Sequence, residues 1–198
     1  MKCLIIIFAC IVGVLPMAEA DVKVYADVKK QGISSIEMVL DGSNTIEFGI
    51  SNGDEVELKG IKVDGCNDLP ITVEQMKGTL SIHHKAPGQE GFSISYQLLI
   101  PRGSKLQITA SIINFHGNID VSKLWISSGM INMSGGGMVS EELSLSGGTC
   151  KLDVEIKGCK RLHIQCGIVS GEITIPESCS YRPLPSWNEL KVNPSSSR

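Results

Sequence analysis

Four leucine triplets recur through the second half of the chain at nearly one spacing. Leu106-Gln107-Ile108, Leu124-Trp125-Ile126, Leu143-Ser144-Leu145 and Leu162-His163-Ile164 begin 18, 19 and 19 residues apart. Self-similarity at about twenty residues marks a chain that stacks successive turns on itself. One such turn cannot bury its own apolar edge. Stacked turns can, because each covers the inward residues of the next and supplies its hydrogen-bond partners. A second element recurs as Gly-x-apolar-x-apolar: Gly117 to Val121, Gly129 to Met133 and Gly171 to Ile175, with Cys150 to Val154 as a variant and Gly78 to Ile82 as an earlier copy. Its strand starts, Ile119, Ile131, Leu152 and Ile173, are less even, at 12, 21 and 21 residues.

The local pattern is that of strands. Apolar and polar residues alternate in Val56-Glu57-Leu58, Ile61-Lys62-Val63 and Ile94-Ser95-Tyr96-Gln97-Leu98, the period of a half-buried strand. Asp41-Gly42-Ser43-Asn44, Ser51-Asn52-Gly53-Asp54 and Pro101-Arg102-Gly103 punctuate it as turns. No stretch of ten or more residues carries a 3.6 period, although a short helical turn is expected near Val73 to Lys77. The predicted fold is all-β, a single-chain β-solenoid (β-helix) with rungs of about 19–21 residues. The alternative is a β-sandwich, whose strands also come every 8–12 residues or so but which does not require one triplet at a constant spacing. Aromatics are 5% of the chain, as suits a thin interior filled by Ile, Leu and Val. Charged residues are 20% and the net charge is −3, which excludes a coiled coil, an acidic disordered tail and a polybasic nucleic-acid arm.

The first twenty residues read as an export signal. Met1 and Lys2 precede the uncharged run Leu4 to Leu15, and Ala18-Glu19-Ala20 supplies a small-x-small cleavage pattern. Cleavage is expected after Ala20. The run is too short to span a bilayer of roughly 30 Å as a helix, and no later segment approaches that length. The predicted organisation is a signal peptide at 1–20, a β domain at 21–179 whose residues 21–57 cap its first end, and an irregular tail or cap at 180–198. The mature protein is expected to be exported, to the periplasm or the medium.

From Leu98-Leu99-Ile100-Pro101-Arg102-Gly103-Ser104-Lys105-Leu106 onward, through His116-Gly117-Asn118-Ile119, Ser128-Gly129-Met130-Ile131 and Ser170-Gly171-Glu172-Ile173, the chain resembles the bacterial "putative adhesin" domain of unknown function. The resemblance covers about residues 45 to 176. The family's repeats usually carry Asp or Asn after the glycine. Asn118 keeps that, while Met130 and Glu172 depart from it. The resemblance implies a β-solenoid of the cell envelope, and it brings no catalytic residues.

The chemistry-bearing residues carry no catalytic signature, and their outward columns read first as a polar solvated face with an Asn ladder between rungs. With the second element aligned, Asp120, Asn132, Asp153 and Thr174 form an outward polar column, the candidate contact surface for a protein or glycan. Asp120 and Asp153 would stand roughly 10 Å apart on rungs about 4.8 Å apart. The alternative function is a polysaccharide-active lyase or glycosidase on a short β-helix, which would need a closer carboxylate pair. No zinc or calcium spacing, phosphate loop or nucleophile elbow occurs, so no metal, cofactor or nucleic acid is expected. His83 and His84 are adjacent and should point to opposite faces of a strand, and His163 should point outward. Beyond the leader, Cys66, Cys150, Cys159, Cys166 and Cys179 are an odd set. Cys159 and Cys179 fall at nearly the same corner of neighbouring rungs and are the disulfide candidates. Cys150 and Cys166 read as small inward residues and Cys66 as an exposed thiol.

Overall fold

The computed structural model describes residues 23–24, 28–64, 71–84, 92–182, 184–185 and 189–195. The predicted leader, Cys66 and the last three residues lie outside them. Eleven strands form one mixed sheet, and no helix occurs among the described residues. They are β1 (Lys23–Val24), β2 (Val28–Gln31), β3 (Ser35–Ile50), β4 (Glu55–Asp64), β5 (Ile71–Met76), β6 (Thr79–His84), β7 (Ser93–Ile100), β8 (Ser104–Lys157), β9 (Arg161–Pro176), β10 (Ser180–Tyr181) and β11 (Glu189–Ser195). The chain is therefore all-β. The helical turn expected near Val73 to Lys77 is absent. Val73 to Met76 belong to β5, which pairs antiparallel with β6 across the turn at Lys77 and Gly78. Both turn residues have positive φ, the geometry of a two-residue hairpin that matches strand twist.

β8 holds 54 residues. Drawn out straight, such a strand would extend about 180 Å. Instead it returns alongside itself. Asn132 Nδ2 donates to Asn114 Oδ1 at 2.8 Å, and Ser122 Oγ donates to the Ser104 carbonyl at 3.3 Å, each across 18 residues. β9 continues the arrangement at an offset of 19: Glu142–Gly147 runs parallel beside Arg161–Cys166, and Thr149–Glu155 beside Ile168–Thr174. β11 then runs parallel to Ser170–Pro176. Leu143 stands directly opposite Leu162, and Leu106 opposite Ile36. All four repeat leucines are buried. Each such side chain contributes roughly 1.5–3 kcal/mol.

Both parallel ladders run as two arms separated by a short corner, at Leu40/Ser43 in β3 and at Gly147/Thr149 in β8. Glycine is required at that corner because neighbouring passes approach through their backbones. A Cβ on Gly129 would lie 2.9 Å from the Ser111 carbonyl oxygen, and one on Gly148 would lie 2.8 Å from that of Gly129. Gly167 continues the same column against Gly148. Inside this corner Cys150 is joined to Cys166 by a disulfide.

β3 lies within the stack. Its first arm, Ser35–Leu40, is flanked by β6 and by Lys105–Ala110. Its second, Ser43–Phe48, is flanked by β7 and by Ile112–Gly117. Alternation turns Ile36, Met38, Leu40, Ile46 and Phe48 inward, and all are buried. Phe48 stacks on Phe115 with ring centroids 4.1 Å apart. Beyond β7 the ladder becomes antiparallel, through β4 to β1 and β2. At the other end β10 adds two residues and β11 seven, with Leu190 and Val192 packed against the core.

Candidate binding face

The four residues of the expected polar column are not brought together. Asp120 pairs with Arg102 at 2.7 Å, and Asn132 bonds Asn114. Asp153 stands opposite Glu172, and Thr174 opposite Glu155. The cause is the offset. Passes repeat every 18 or 19 residues, so positions spaced 12, 21 and 21 apart drift across arms. Asn114, hydrogen-bonded to Asn132, and Thr45, opposite Asn114, form the ladder that Asn132 belongs to.

Cys150 and Cys166, expected as small inward residues, are bridged. The disulfide joins Cys150 and Cys166, because the corner that follows Cys166 in one pass lies beside the corner that precedes Cys150 in the pass before. Cys159 and Cys179 are thiols, both buried.

A different constellation stands on the outward side of the first arms. In Leu124-Trp125-Ile126 the two aliphatic side chains are buried, so alternation points the indole outward. Trp125 bounds a recess of about 210 Å³, lined also by Gln107, Thr109, Ser127, Ser144 and Ser146 from three adjacent passes. The ring is held from its rim. Its Nε1 donates to Glu142 Oε1 at 3.2 Å, and Arg161 Nη2 donates to Glu142 Oε2 at 2.8 Å. Lys123 Nζ sits 5.3 Å from the ring centroid and 3.5 Å from Glu141 Oε2. Such a cation over an indole adds on the order of 0.5–1 kcal/mol at an exposed site.

The recess thus combines one rigid aromatic plate with neutral hydroxyl and amide groups, while the charges are engaged with each other around it. That arrangement suits a ligand with an apolar face and a rim of hydroxyls. A larger cleft of about 520 Å³ opens between the turns at 33–34, 51–54 and 101–104, but it has no aromatic plate. Among the described residues no group of three His, Cys, Asp or Glu side chains could hold a metal ion. No helix there is long and apolar enough to cross a membrane. Trp125 was legible in the sequence only as the middle of a repeat triplet. Its position between two inward aliphatics was the signal that it faces solvent.

No family model matches the chain, and no curated protein matches it either. Solved structures do. A "putative cell adhesion protein" from Clostridium sporogenes is similar over 79% of this chain and 74% of its own, at 14% identity and a TM-score of 0.38. A "putative adhesin" from Bacteroides fragilis is similar over 86% and 94%, at 13% identity and a TM-score of 0.30. A "putative adhesin" from Parabacteroides distasonis is similar over 88% and 96%, at 13% identity and a TM-score of 0.33.

Proposed function

We propose that the chain is an exported, non-enzymatic β-solenoid of the cell envelope, and that the face carrying Trp125 binds a glycan. The solenoid reading is supported by parallel neighbours 18 or 19 residues apart along β8 and β9. Export is supported by the leader pattern of residues 1–20. The observation that carries the binding reading is the rim-held indole beside four small hydroxyl side chains and one amide. A sugar ring offers a C–H face to the plate and hydroxyls to the surrounding donors and acceptors. Such shallow, preorganised surfaces bind without large rearrangement.

The test is titration of the purified protein against a panel of bacterial and host oligosaccharides by calorimetry, beside Trp125→Ala. We expect at least one glycan to bind, and the variant to lose roughly tenfold or more, equivalent to about 1.4 kcal/mol. Equal affinity for the variant, or no binding across the panel, overturns the reading. Product release from any glycan would replace it with the polysaccharide-active enzyme. Fractionation, with amino-terminal sequencing expected to begin at Asp21, tests export.

A further inference from the structure

Two thiols meet where the carboxy-terminal segment joins the stack. Cys159 and Cys179 are 1% and 7% exposed, and their side chains lie close enough to influence each other's ionisation. The backbone fixes that meeting. Ser180 N donates to the Lys160 carbonyl at 2.9 Å, and Ser180 and Tyr181 pair with Arg161 and Leu162. Cys159 Sγ also donates to the Arg161 carbonyl at 3.1 Å. A contact between consecutive passes like this one is already bridged one corner away, between Cys150 and Cys166.

We propose that Cys159 and Cys179 are a second disulfide site, which on oxidation fastens the carboxy-terminal segment to the pass before it. The oxidant is a low-molecular-weight or protein disulfide. One cysteine thiolate attacks it, forming a mixed disulfide and expelling a thiolate. The other cysteine then attacks the protein-side sulfur of the mixed disulfide and expels the second thiolate. Two protein thiols lose two electrons and two protons, and the external disulfide is reduced to two thiols.

The seated site is protected from this exchange. Burial, with the adjoining Cys159 side chain, pushes the Cys179 thiol up to about 12, so the attacking thiolate is scarce while the segment is docked. β10 is held by only two residue pairs. Its detachment is the local opening that admits the oxidant. Oxidation is therefore expected to be slow in the native protein and faster in denaturant too dilute to unfold the core.

The test uses the full purified chain, incubated with oxidised glutathione and then alkylated in guanidinium. Trypsin with a glutamate-specific protease separates Cys166 from Cys179, because Glu172 and Glu177 lie between them. The expected result is a cross-linked pair of peptides containing Cys159 and Cys179. The thermal midpoint should also rise by roughly 5–10 °C, as for a loop of about twenty residues. Cys159→Ala and the double variant Cys159→Ala/Cys179→Ala should show no such rise. Recovery of both cysteines alkylated after oxidation overturns the proposal, as does bridging of Cys179 to Cys66. A midpoint that rises equally in Cys159→Ala overturns it too.

Discussion

His84 Nε2 lies 2.9 Å from Asn44 Oδ1, with both side chains buried. The Asn44 amide nitrogen donates to the carbonyls of Asp41, Gly42 and Ile112, so its oxygen faces the histidine and accepts. Nε2 therefore carries the proton, and Nδ1 finds no hydrogen-bond partner among the described residues. Protonating Nδ1 would create a buried donor without an acceptor. Burial accordingly lowers the His84 pKa to about 4, against an opposing pull from Asp41.

A folded pKa below the unfolded value means that the unfolded chain binds the extra proton first as pH falls. The contribution is fully present above about pH 6.5 and is lost down to about pH 4, on the order of 3 kcal/mol in all. Urea unfolding at a series of pH values should show this slope, and His84→Gln should flatten it. A wild-type midpoint unchanged across that window would refute the assignment.

Two glycines with positive φ should respond very differently to alanine. A Cβ on Gly171 would stand 2.0 Å from the Leu152 carbonyl oxygen, whereas one on Gly103 would meet nothing within 4 Å. Gly103→Ala carries the backbone cost alone, about 1 kcal/mol. Gly171→Ala also forces two passes apart, and should cost more than about 3 kcal/mol. Chemical denaturation of the two variants side by side decides it, and equal losses would contradict the close approach.

The phenol of Tyr96 is buried and finds no hydrogen-bond partner among the described residues. An unsatisfied buried hydroxyl costs roughly 1–3 kcal/mol. Tyr96→Phe removes the oxygen and keeps the ring, so it should leave stability unchanged or raise it. A clear loss in thermal melting would mean that the hydroxyl is bonded.

Leu143 and Ser144 are chain neighbours on opposite sides of the sheet. Leu143→Ala should cost about 2–5 kcal/mol by opening a cavity beside Leu162. Ser144→Ala should stay within about 0.5 kcal/mol. Comparable losses would place Leu143 outside the core.

Much of the fold was legible because one interval is written repeatedly. The leucine triplets carry the 19-residue interval, and Leu143 stands opposite Leu162 as that interval requires. The second element misled because it mixes arms. The residue before Asn132, Ile131, matches Ile113, which precedes Asn114, whereas Ile119 belongs to a later part of the same pass. Aligning Ile131 with Ile119 displaced every column built on it. The cysteine pairing was hidden for a similar reason, since Cys150 and Cys166 sit on different arms. The place of β3 had no local signal at all. Ser35 pairs with Lys105, seventy residues on, and alternation says which face is buried without saying which strand lies alongside.

The corner column of Gly129, Gly148 and Gly167 has a last consequence. Segments 18 or 19 residues apart meet there through their backbones, Ser111 against Gly129, Gly129 against Gly148 and Gly148 against Gly167. On the proposed solenoid reading, a cassette cut from one of these corners to the next could be duplicated or excised with the flanking ladders still in register. On that reading the molecule is a ruler whose length changes only in whole graduations.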